Sequence, residues 1–329
     1  MTTFIALVLF GAVTMYAIFG GADFGAGIWD LFAGGDERGR RPRELIDHAI
    51  GPVWEANHTW LIFCLVVLWT GFPTAFAAIT STLYVPLGLA ALGIVLRGAG
   101  FAFRKVAERS PHERINGVAF ALSSVTTPFF FGTVAGGIAS GRVPAAGNGD
   151  AVRSWLNPTS LLGGALAVTV CAYLAAVFLT EDARVRDEKD LVEWARRRAL
   201  GAAVVAGALS LAGLFVLQSD AHRLWSHLLH AALPVVIVSG GTGLAALVLL
   251  RRGAPRIVRL LAVAAVAAIV VGWGIAQYPY LLGTHLAIGD AAAPDATMGA
   301  LAVVTGLATV LVVPSIALLF VLQQRARLE

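Results

Sequence analysis

Apolar stretches of about twenty residues recur along the whole chain, separated by short polar segments. They predict helices over 4–33, 50–70, 76–104, 115–138, 156–180, 198–217, 226–250, 257–280 and 297–322. A bilayer core about 30 Å thick needs roughly 20 apolar residues per helix, because backbone polar groups in lipid must pair internally. The polar intervals are short, the longest running from Ile138 to Trp155 and from Glu181 to Arg198. The expectation is an all-α integral membrane protein of about nine transmembrane helices, with residues 1–329 forming one multi-pass domain. Pro52 suits the first turn of the second helix. Pro86, Pro128, Pro234 and Pro314 fall inside predicted helices and predict kinks. The opening MTTFIALVLFGAV has no basic residues ahead of its apolar run and no small-residue cleavage site, so the first helix is expected to be retained.

Composition agrees. Apolar residues make up 58% of the chain and charged residues 13%, about half the share in a soluble domain. Most of the 24 Lys and Arg residues fall into alternate intervals. Arg38, Arg40, Arg41 and Arg43 follow helix one; Arg104, Lys105, Arg109 and Arg114 follow helix three. Arg184, Arg186, Lys189, Arg196, Arg197 and Arg198 follow helix five; Arg251, Arg252, Arg256 and Arg259 follow helix seven; Arg325 and Arg327 end the chain. The other side holds Arg142, Arg153 and Arg223. Cationic loops stay in the cytoplasm, which predicts an N-terminus outside and a C-terminus inside. Nucleic-acid binding is excluded, because the basic residues are dispersed and no base-stacking aromatics lie among them. Cys64 and Cys171 lie in apolar helix interiors and read as small buried hydrophobes, with no disulfide framework or zinc site.

Ionisable residues inside spans cost a few kcal/mol each and mark candidate sites. Here they are Asp23, Asp30, Glu55, His58 and Arg97. Asp23 precedes the predicted end of helix one by about ten residues, roughly 15 Å of depth. Glu55 lies about a turn and a half into helix two, and Arg97 about two turns before the end of helix three. Two acids and a base thus reach the cytoplasmic leaflet. In the structural reading Arg97 neutralises Asp23 or Glu55 and locks the helices together. In the functional reading buried carboxylates tuned by a nearby cation carry protons inward. The two are compatible. His58 shares a helix face with Trp54 and Glu55 and is the one credible axial haem ligand by position. His48, His112, His222, His227, His230 and His285 fall in loops or at helix ends, and Met1, Met15 and Met298 are no better placed. Gly21 and Gly25 flank Asp23 in a small-xxx-small face that permits close helix approach. Gln277, Tyr278, Pro279 and Tyr280 read as an interfacial aromatic segment.

Five segments resemble subunit II of the cytochrome bd-type quinol oxidases: GGADFGAGIWDLF in helix one, IGPVWEANHTWL at helix two, IVLRG around Arg97, QYPYLL, and DAAAPDAT before helix nine. They stand in the family's order from residue 20 to residue 297. The resemblance implies two four-helix bundles plus a C-terminal helix, in a prokaryotic plasma membrane. It implies a haem-bearing subunit I with two b-type haems, one d-type haem and the quinol site. The pair would oxidise quinol and reduce dioxygen to water with cytoplasmic protons, this chain binding no haem itself. A small single-helix subunit and a structural quinone or lipid in this chain are left open, as is ubiquinol versus menaquinol. Glu55, Asp23 and His58 then become the proton path, and Arg97, Trp54 and Asn57 its structural and charge partners. The chain departs from the family twice: Glu55 replaces the usual Asp after Trp54, and His58 replaces a Glu. The first change keeps the titrating group one methylene further out; the second substitutes a group whose ordinary pKa is near 6.5. The alternative is a proton-coupled secondary transporter, which places substrate groups near the midplane. Here the charges cluster towards the cytoplasmic third, and the central parts of helices four to nine are almost devoid of polar groups.

Overall fold

The computed structural model describes residues 1–50, 54–106, 113–253 and 255–326. Side chains are described except at 36, 50, 54–56, 101–106, 113–118, 255–256, 312–313, 316–317 and 319–326. The helices, in order, are α1 (Thr2–Leu31), α2 (Asp36–Ile50), α3 (Trp54–Gly71), α4 (Pro73–Thr82), α5 (Tyr84–Val106) and α6 (Glu113–Ala139). They continue with α7 (Pro158–Val185), α8 (Lys189–Asp220), α9 (His222–Leu229), α10 (Leu233–Arg252), α11 (Pro255–Gln277) and α12 (Asp295–Ala326). Among the described residues six helices are long and apolar enough to cross a membrane, or seven if the bent pair α3–α4 is one span.

Six local expectations are corrected. The interval after α1 is a helix, α2, because Pro42, Leu45 and Ile46 make a buried stripe at helical spacing beneath its arginines. The helix expected over 76–104 is two, α4 and α5, broken at Leu83. Pro73 starts α4 at a first-turn position, and α4 leaves the line of α3 by 115°. Pro86 and Pro234 sit in the first turns of α5 and α10, where no helical N–H is needed, so neither kinks a span. Pro128 and Pro314 are interior, as expected. The helix expected over 226–250 divides into α9 and α10, and the interval 181–198 is largely helical, with α7 and α8 separated by Arg186–Glu188. Finally, α11 ends at Gln277, and the QYPY segment enters a two-stranded hairpin pairing β1 (Tyr280–Leu282) with β2 (Leu286–Ala287).

Packing divides by level. At the end opposite the arginine-rich loops, Ile5, Phe72, Leu83, Val143, Leu282, Leu286 and Met298 bury together, joining α1, α4, the 140–157 segment, the hairpin and α12. Midway, α1 packs with α7, α8, α10 and α11 through residues such as Ile18, Leu174, Ala202, Ala246 and Val266. At the arginine-rich end, Leu45 and Ile46 of α2 lie against Phe120, Leu179, Ala183 and Leu191. Large apolar side chains face outward along the outer helices, among them Leu211, Phe215, Leu260 and Val310. Exposed apolar surface on this scale needs lipid or a partner to cover it. The observed packing places α1 at the centre, with α3, α6, α7 and α11 around it.

Candidate functional site

The central helix carries the acid. Asp23 is 4% exposed and Arg97, on α5, is 1% exposed. Arg97 Nη2 lies 2.6 Å from Asp23 Oδ1 and also donates to the Asp23 carbonyl at 2.9 Å. Its other terminal nitrogen, Nη1, donates to Ser124 Oγ on α6, and that hydroxyl in turn donates to the Phe120 carbonyl at 2.6 Å. The guanidinium stands over the rings of Phe24, 4.9 Å to the centroid, and Phe120, 4.4 Å. Both terminal nitrogens thus meet an opposite charge or a dipole, and the guanidinium plane meets two π-faces, while Nε has no hydrogen-bond partner among the described residues. That arrangement offsets the desolvation of an ion pair that would otherwise be unfavourable in a dry interior.

Glycine makes the room. A β-carbon at Gly27 would overlap the Ser124 hydroxyl and sit 2.9 Å from Arg97 Nη1. A β-carbon at Gly25 would overlap the Cys171 carbonyl of α7. The small face around Asp23 therefore admits α7 on one side and the guanidinium on the other. Asp23 lies eight residues from the end of α1 and Arg97 nine from the end of α5, each about 12–14 Å along its helix. Both sit toward the arginine-rich end.

The structure brings together only part of what the sequence nominates. Asp23 and Arg97 meet. Asp30 pairs instead with Arg43 of α2 at 3.1 Å, while Arg43 also donates to the Gly34 carbonyl at 2.6 Å. Asn57 is buried on α3 and His58 half-buried beside it. The side chains of Trp54 and Glu55 lie outside the described residues. Two contributors escaped sequence reading: Ser124, which holds the guanidinium, and Tyr16, whose phenol lies within electrostatic reach of Asp23, Arg97 and Cys171. Hydroxyls are ordinary in apolar helices, so no sequence signal marked them. Among the described residues no group of three His, Cys, Asp or Glu side chains forms a metal site. A separate cleft of about 390 Å³ opens between α7, α8 and α10, but Arg184 and Arg196 on its wall are already paired with Glu181 and Glu193.

Comparison with known proteins decides the lineage. The family model described as cytochrome bd terminal oxidase subunit II matches residues 1–323. The chain belongs to the cytochrome bd terminal oxidase subunit II family. It is 30% identical over 205 residues to the cytochrome bd ubiquinol oxidase subunit 2 of Bacillus subtilis (strain 168), covering 61% of this chain and 58% of that protein. It is 27% identical over 212 residues to the cytochrome bd-I ubiquinol oxidase subunit 2 of Escherichia coli (strain K12), covering 61% and 53%. The chain thus spans little more than half the length of these two relatives. The fold matches a chain of the bd oxidase from Geobacillus thermodenitrificans with a TM-score of 0.78 at 23% identity, over 98% of both chains. Among the described residues the Asp23–Arg97 pair is the most deeply buried ion pair.

Proposed function

We propose that this chain is the haem-free subunit of a respiratory quinol oxidase, working with a haem-bearing subunit I in a prokaryotic plasma membrane. Quinol oxidation and dioxygen reduction occur on that partner. Family membership over nearly the whole chain supports the assignment and leaves the transporter alternative without support. Nine spans follow if α1, α3, α5, α6, α7, α8, α10, α11 and α12 each cross, with α4 and α9 as end pieces and α2 on the membrane surface. Positive loops then put the arginine-rich end in the cytoplasm.

Neither Met298 nor Cys171 is placed as a haem ligand in this chain. Met298 is buried in the apolar cluster beneath the hairpin, and Cys171 packs against Gly21 and Gly25 of α1. Axial ligation needs a His, Met or Cys facing a pocket. We therefore place the two b-type haems and the d-type haem on subunit I, and derive no step through them here.

This chain's contribution is proton uptake from the cytoplasm. The observation that carries the reading is the Asp23–Arg97 contact of 2.6 Å, buried between three helices yet within a few turns of the arginine-rich end. A guanidinium stays protonated, so it holds the Asp23 carboxylate at a fixed place in a low-dielectric seam. Glu55 and His58 lie earlier on the same route, at the start of α3, and Trp54 and Asn57 support them. Replacing Glu55 by Gln in the assembled oxidase is expected to slow oxygen consumption while the haem spectra remain those of the parent. Parent-like turnover in Glu55→Gln would remove Glu55 from the path.

A further inference from the structure

The cleft between α7, α8 and α10 lies where the arginine-rich end meets the apolar spans. Arg184, Asp187, Lys189, Glu193 and Arg196 line it, together with Leu250, which is 2% exposed. Its level is marked independently. Arg198, two residues beyond Arg196, stands 3.8 Å from the ring of Trp194 and 5.8 Å from that of Trp29, and tryptophans collect at the membrane–water boundary. The face of α8 that carries Lys189, Glu193 and Arg196 continues at three- and four-residue spacing through Leu200, Val204 and Gly207. Val204 is 53% exposed, and a β-carbon on Gly207 would meet nothing within 4 Å. Val185, next to Arg184, is 73% exposed. The charged cleft therefore stands at the head of an apolar stripe that lipid or a partner must cover.

Ion pairing inside the cleft leaves charge over. Glu193 serves two guanidiniums, Arg196 at 2.6 Å and Arg197 at 2.7 Å, so that trio keeps one positive charge. Arg196 Nε is buried with no hydrogen-bond partner among the described residues. Its Nη1 donates to the Arg251 carbonyl at 3.4 Å, which ties α8 to the end of α10. Arg184 spends Nε and Nη2 on Glu181 and keeps Nη1. Lys189 is exposed and forms no ion pair among the described residues. The same holds for Asp187, which stands at φ 57 in the turn between α7 and α8. Unspent cationic donors thus share one cleft with one unspent carboxylate.

We propose that this cleft holds the headgroup of a membrane phospholipid of the phosphatidylethanolamine class. Lys189, Arg184 and Arg196 take the phosphodiester, Asp187 pairs with the ammonium, and an acyl chain covers the Leu200–Val204–Gly207 stripe. Basic pockets between helices on the cytoplasmic side are suited to lipid phosphates, and charged donors strengthen each hydrogen bond. A purely anionic headgroup would leave Asp187 unmatched, and free phosphate would leave the stripe bare. The proposal needs only that α8 lies in a membrane, so it stands apart from the proton-uptake reading.

The test uses the intact oxidase, stripped of lipid in detergent. Hydrogen–deuterium exchange is followed at the amides of 186–190 and 251–253 while micelles carrying phosphatidylethanolamine or phosphatidylglycerol, or inorganic phosphate alone, are added. Phosphatidylethanolamine should slow exchange there several-fold, at lower concentration than phosphatidylglycerol, and phosphate should not. Lys189→Gln should weaken the phosphatidylethanolamine response several-fold. Asp187→Asn, which keeps a residue that tolerates positive φ, should erase the preference between the two lipids. Exchange that no lipid alters would overturn the proposal, as would an equal response to phosphate or a preference for phosphatidylglycerol. Slowing of the same size at 147–150, at the opposite end, would also overturn it, because general membrane cover would then suffice.

Discussion

Arg97 is a cation that the fold cannot leave unpaired. Its guanidinium is 1% exposed and is held by Asp23, Ser124 and two aromatic faces. Removing one member of a buried pair strands the other, at about 3–5 kcal/mol, whereas replacing both with apolar groups is often tolerated. Arg97→Leu is therefore expected to lower the thermal midpoint of the purified complex markedly, and Asp23→Leu combined with Arg97→Leu to recover part of that loss. Equal midpoints for the single and double variants would show that the pair is not the source of the destabilisation. Gly25→Val makes a harder clash, because the obstacle is the Cys171 carbonyl rather than a movable side chain. That variant is expected to abolish assembly, read as loss of the haem spectrum from membranes. Sequence exposed Asp23 and Arg97 because charges in apolar runs are rare. Ser124 and Tyr16 stayed hidden because their importance is tertiary: each matters through what α1 and α5 place beside it.

At the scale of elements, α2 shows where hydrophobic pattern and charge pattern compete. Its sequence DERGRRPRELIDHAI reads first as a topology signal, yet Leu45 and Ile46 are each 1% exposed. The helix is also tied down by charge. Arg41 reaches Glu188 at 3.0 Å and Asp190 at 3.6 Å, and Arg43 reaches Asp30 at 3.1 Å. The exposed Arg41 pairs contribute little, so docking rests on the apolar stripe. Ile46→Ala should cost about 2–5 kcal/mol of local stability if the site cannot collapse. Its readout is faster tryptic cleavage among Arg38, Arg40 and Arg41 in the folded complex, and parent-like cleavage would refute the apolar anchoring. The long spans were legible because twenty apolar residues leave few alternatives. The breaks at Leu83 and before Leu233 were not, since Pro86 and Pro234 read alike whether they kink a helix or begin one.

Across the whole molecule the two ends differ in how they are closed. At the end away from the arginines, the connecting segments clasp one another. Asp220 takes Arg142 at 2.5 Å and the Thr159 hydroxyl at 2.5 Å, and the Ala293 N–H caps the Gly71 carbonyl at 2.8 Å. Arg223 donates to the Gly283 carbonyl at 2.7 Å and stacks on Tyr280. Beneath this cap lies the apolar cluster around Ile5, Phe72 and Met298, which offers water no polar foothold. The arginine-rich end instead keeps Asp23 and Arg97 within about 14 Å of the helix termini. The excess of arginine at that end predicts that it faces the cytoplasm. Single cysteines test the orientation without disturbing the site, since Glu37 and Ala146 are exposed at opposite ends. A membrane-impermeant maleimide should label Ala146→Cys in intact cells and Glu37→Cys only after the membrane is opened. Labelling of Glu37→Cys in intact cells would invert the molecule, and with it the direction from which its buried acid could be supplied.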